Sequence, residues 1–107
     1  NEAANATGLT INAGQDLAQS TNQKRLGDTG NANDESLCCT MYLFSPSSTT
    51  FVKHFIAHIN CTDGYDYAMQ HFNAGYANVT AAIDGIRFTF SAGTIDAGTI
   101  KMYGITK

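Results

Sequence analysis

The chain has no tryptophan and a single proline, Pro46, in 107 residues. Charged side chains make up only 14% of it, against the usual quarter or so of a soluble domain. Lys and Arg number six and are scattered, and the net charge is −3, so there is no basic footprint for nucleic acid or an anionic membrane. No apolar run approaches the roughly 18 residues that a spanning helix needs. No secretory signal is apparent. The first residue is Asn1, as expected of a processed product or a piece of something longer. The cysteine count is three, which excludes a complete internal disulfide framework. Cys38 and Cys39 are adjacent and point to opposite faces of any strand, a poor geometry for bridging each other. Either could reach Cys61 if their strands were neighbours. The plainer expectation is buried free thiols acting as small hydrophobes.

In place of charge, the polarity comes from Thr, Asn, Gly and Ser. The length allows one domain with one modest core. Residues 1–8 read as an N-terminal arm and residues 9–107 as one domain. Up to residue 36 the chain is polar. Short strands are expected at Leu9–Ile11 and Gln23–Leu26, and an exposed loop over Gly27–Ser36.

From Ser36 onward the pattern changes to period two. Ser36–Phe44 reads as a strand with Leu37, Cys39, Met41 and Leu43 on one face and Cys38, Thr40, Tyr42 and Phe44 on the other. A turn around Pro46 leads to a second strand, Phe51–Ile59, preferred over a helix because β-branched and aromatic residues dominate. A turn at Thr62–Gly64 leads to a third, Tyr65–Phe72, with Gly75–Val79 as a link or edge. Ile86, Phe88 and Phe90 alternate cleanly, and Gly98-Thr-Ile-Lys-Met-Tyr-Gly-Ile105 completes an expected closing hairpin. Phe88 would lie in its core. The fold class expected is all-β, an antiparallel β-sandwich of jelly-roll type, without a helix longer than about two turns. Several strands carry apolar residues on both faces, which predicts contact with a neighbouring copy.

Little of this reads as chemistry. His54 and His58 would share a strand face about 13 Å apart, too far to clamp one ion. Asp63 and Asp66 supply only part of a calcium loop and read as turn residues. No nucleophile-elbow sequence is present. No catalytic residue, metal site or cofactor is therefore assigned. Asn5-Ala-Thr7, Asn60-Cys-Thr62 and Asn78-Val-Thr80 match the glycosylation pattern, which chance explains in a chain so rich in Asn and Thr. Tyr65, Tyr67 and Tyr76 are the candidate surface or interface contacts, since exposed tyrosines stack on sugars or anchor protein interfaces.

The order of these features resembles that of small β-sandwich domains in bacteriophage tail-fibre and capsid-associated proteins. The resemblance is carried by Phe44-Ser-Pro-Ser-Ser-Thr49, by Ile86-Arg-Phe-Thr-Phe-Ser-Ala-Gly-Thr-Ile95 and above all by Gly98–Ile105. Residues 61–80 depart from it. It implies a non-enzymatic virion component, a capsid-decoration or tail-fibre domain. Such a domain would form a homo-oligomer, most naturally a trimer, with other virion proteins or a host surface glycan as partners. It would be located on the virion. It carries over no catalytic residue. The alternative is a carbohydrate-binding or adhesion module of a secreted or cell-surface protein.

Overall fold

The computed structural model describes residues 17, 18 and 20–105. The expected strand at Leu9–Ile11 and the N-terminal arm lie outside these. Among the described residues the chain is all-β, with no helix. Three strands, β1 (Leu37–Leu43), β2 (Lys53–Thr62) and β3 (Ala68–Ala77), form one antiparallel sheet in the order β1-β2-β3. Leu37 faces Cys61 and Leu43 faces Phe55 across β1 and β2. Lys53 faces Ala77 and Thr62 faces Ala68 across β2 and β3.

The first strand falls where the alternation places it. The second and third are displaced toward the C-terminus, for a local reason in each case. Ser48 Oγ accepts the amides of Thr50 and Phe51 at 3.2 and 3.0 Å, holding that corner off the ladder, so β2 starts at Lys53. Asp63 Oδ1 accepts the amides of Tyr65 and Tyr67, each at 3.0 Å. Those amides are spent on the turn, as Asp side chains often arrange, and β3 starts at Ala68 instead of Tyr65. Its far end absorbs Gly75, which is a ladder residue and not a link. The ring of Phe55 lies over it, so a Cβ at Gly75 would sit 3.0 Å from Phe55 Cε1.

The register puts odd-numbered residues of all three strands on one face. That face is covered at its centre. Ala57, Ile59 and Cys61 are buried, with Leu26, Met41 and Met69 packed on them. A buried Ile of this kind contributes roughly 1.5–3 kcal/mol. Gln23–Leu26 is not a strand but an irregular stretch whose last residue reaches this core. At Gly27 the chain runs so close to the sheet that a Cβ would sit 3.1 Å from Ile59 Cγ2. Three strands with one packed face are about the least that holds together in water.

The largest correction concerns the C-terminus. Neither Ile86–Phe90 nor Thr99–Ile105 is a strand, and no closing hairpin forms. Ile86, Phe88 and Phe90 are 46, 39 and 44% exposed, and Met102 is 91% exposed, so Phe88 is no core residue. No backbone–backbone hydrogen bond joins residues 84–105 to any described residue. Alternation makes a segment fit for a ladder, but a ladder also needs an edge beside it, and within the described chain none is.

Candidate functional site

The even-numbered face of the sheet is open. β2 supplies His54, Ile56, His58 and Asn60; β1 and the residue after it supply Cys38, Thr40, Tyr42 and Phe44; β3 supplies Gln70, Phe72, Ala74 and Tyr76. The amide of Phe44 donates to the carbonyl of His54 at 2.9 Å, which carries the β1–β2 pairing one residue further and aligns Phe44 with this face. The apolar members are large: Tyr42, Phe44, Ile56, Phe72 and Tyr76 are all about half exposed or more. They sit in cross-strand rows, so the exposure is one contiguous patch and not scattered residues. Patches of this kind on a soluble protein mark sites of interaction.

The two histidines are built into that surface. His58 stacks on Phe72, with ring centroids 4.5 Å apart and planes 8° from parallel. His54 packs at a tilt on Tyr76 at 5.7 Å. Each imidazole thus forms a rung with the aromatic residue opposite it on β3, in the register the ladder imposes. Among the described residues no group of three or more His, Cys, Asp or Glu is gathered as a metal would require.

The three tyrosines do not form one cluster. Tyr65 and Tyr67 are together in the β2–β3 turn, with centroids 6.4 Å apart, and Tyr65 is 81% exposed. Tyr76 lies at the other end of β3, on the open face beside His54. The turn is held by Asp63: its carboxylate takes two amides, and its own amide donates to the Tyr67 carbonyl at 3.1 Å. Asp66 takes a left-handed φ of 60°. Asp63 therefore serves the loop backbone.

The thiols divide as well. Cys61 is buried while Cys38 and Cys39 are exposed, and all three are free. Burial pushes the Cys61 thiol pKa up, and the charges of Asp63 and Cys38 add to it. Cys39 is raised by burial and then by Cys38. A shallow hollow of about 250 Å³ on the β1–β2 surface is lined by Cys38, Cys39, Thr40, His58 and Asn60.

Two features went unread in the sequence. Lys53 is fully buried, with Nζ donating to the carbonyls of Phe51, Val79 and Thr80 at 2.7, 3.3 and 3.2 Å. It ties the chain leaving β3 to the corner before β2. The open face was legible residue by residue in the apolar pattern on both sides of the strands; the histidine–aromatic rungs were not, because they depend on register.

No protein family, curated protein or solved structure matches this chain.

Proposed function

We propose that this chain is a non-enzymatic structural domain of a bacteriophage virion, of the capsid-decoration or tail-fibre kind, which assembles through its open aromatic face. The observation that carries the reading is that face: Tyr42, Phe44, Ile56, Phe72 and Tyr76 lie together and exposed on one side of a sheet whose other side is packed. An antiparallel sheet that stands alone turns a polar face to water. This one does not, so a second apolar layer belongs there. The sheet of another copy supplies it, and the β-sandwich is completed between subunits, with a trimer as the preferred assembly. The low charge, with Thr, Asn, Gly and Ser supplying the polarity, adds the setting. Mass spectrometry of purified particles tests it. Many copies of the chain per particle are expected, and its absence from particles overturns the reading.

A second reading has its own observation. Tyr65 and Tyr67 project as an exposed aromatic pair from the tip of a rigid turn, the type of surface on which a sugar ring stacks. It makes the domain a carbohydrate-binding or adhesion module. Glycan-array binding abolished by Tyr65→Ala supports it, and no binding to any glycan excludes it.

A further inference from the structure

We propose that residues 86–90 are a donated strand, which in the assembled state adds to the free edge of β1 in a second copy of this chain. The inference rests on the reading of the chain as an assembling domain and adds to the face-to-face contact a second one, at the edge of the sheet.

Four observations converge. The segment Ile86-Arg-Phe-Thr-Phe90 has the alternation of a half-buried strand, yet Ile86, Phe88 and Phe90 are each about 40% exposed or more. Its backbone groups make no bond to other described backbone; among the described residues its one side-chain hydrogen bond is from the Thr89 hydroxyl to Gln23 Oε1, at a loose 3.4 Å. Unpaired backbone beside alternating apolar side chains is what β-augmentation uses: the ladder gives affinity and alternate side chains fill pockets.

The receiving edge is β1. It is an outer strand of the sheet, and among the described residues its row on the packed face is open at the Leu37–Cys39 end, while Met41 packs on the core. Leu37 is 41% exposed and Cys39 is exposed, while Cys61 and Ile59, opposite them on β2, are 3% and 0% exposed. The cover over that face is fastened to β3, where Asn73 holds Leu26, and at Gly27 it reaches the side chain of Leu37, yet it leaves Leu37 and Cys39 exposed. A strand added at β1 would satisfy the ladder and screen Leu37 and Cys39 with one side of its alternation. Unprotected edges of this kind are otherwise templates for uncontrolled pairing.

The donor segment starts within reach of that edge. The Ile83 amide donates to the Pro46 carbonyl at 2.9 Å, so the chain passes the end of β1 just before residue 86. In the single chain the segment forms no ladder with β1, and its apolar side chains are open.

The test uses the full chain. Sedimentation velocity gives the oligomeric state, and hydrogen exchange with mass spectrometry reads the amides of residues 86–90 at concentrations above and below dissociation. At least tenfold protection is expected in the oligomer and its loss on dilution. A mixture of isotopically labelled and unlabelled chains should show contacts between Phe88 of one copy and β1 of another. Phe88→Asp should weaken association at least tenfold while β2 and β3 amides stay protected, which separates lost assembly from lost folding. Protection of residues 86–90 in a monomer would mean pairing within the chain and overturn the inference. An oligomer in which these amides exchange freely also overturns it, while leaving the proposed function standing. A chain that is monomeric at every concentration overturns both.

Discussion

Asn73, on β3, donates from Nδ2 to the backbone carbonyl of Leu26 at 2.8 Å, across 47 residues of sequence. This bond fastens the polar stretch before β1 onto the packed face of the sheet, where Leu26 covers Ala57, Ile59 and Cys61. It explains how a chain with three buried apolar residues at its centre keeps them dry.

Asn73→Ala should therefore destabilise the domain by about 1 kcal/mol for the hydrogen bond. In a domain of this size that is a fall in Tm of roughly 4–8 °C. Asn31→Ala, on the exposed loop, should change stability by no more than about 0.5 kcal/mol. Thermal melts of the two variants check both values.

Gly27 makes a related prediction. Its would-be Cβ meets Ile59 Cγ2 at 3.1 Å, with His71 and Leu37 at 3.6 Å. Gly27→Val crowds the core where it is tightest, and overpacking costs about 1–3 kcal/mol. Urea denaturation should show a lowered midpoint with an unchanged slope.

Lys53 holds three carbonyls from a fully buried position. Lys53→Met keeps the aliphatic stem and removes the donors, so the loss should be about 1.5–3 kcal/mol, the range for hydrogen bonds to a charged group. Exchange at the Ile83 amide should accelerate, because the segment that Lys53 secures also carries the bond to Pro46. Lys53→Arg should not restore the parent stability, since a planar guanidinium cannot reproduce the three directions of an ammonium.

The thiols predict an order of reactivity and a pH slope. Exposed Cys38 should react with a disulfide reagent well before buried Cys61. The folded pKa of Cys61 is raised by burial, then by Asp63 and Cys38. The unfolded thiol ionises near about 8.5. Above that pH the unfolded state has released its proton and the folded state has not. Stability from this group is thus complete below the unfolded pKa and falls as pH rises toward the folded one. Denaturation at pH 7 and pH 10 should show the loss, and Cys61→Ala should flatten it from a lower starting stability.

The legibility of this chain followed from what each feature depends on. β1 was readable because Leu37–Leu43 is a plain alternation with no competing hydrogen bonds. The ends of β2 and β3 were misplaced because Ser48 and Asp63 capture nearby amides, an effect that apolar pattern does not register. The closing hairpin at 86–105 was expected from alternation alone, but strand pairing is a property of two segments, and alternation in one says nothing of where the other lies. The buried role of Lys53 was hidden because a lysine reads as surface unless its carbonyl partners, here 26 and 27 residues away, are known. Tyr65, Tyr67 and Tyr76 are all exposed, and β3 separates Tyr76 from the other two, a distance that depends on where the strand begins.

The central claim is that the face carrying Tyr42, Phe44, Ile56, Phe72 and Tyr76 is an assembly surface. Ile56 sits on the central strand of that face and is 52% exposed, so a charge there disturbs the surface without entering the packed core. Sedimentation equilibrium of the full chain beside Ile56→Asp is the most direct test. The account predicts an oligomer for the parent and a folded monomer, with unchanged β circular dichroism, for the variant. A parent that stays monomeric at its highest soluble concentration, or a variant that assembles as the parent does, would contradict it.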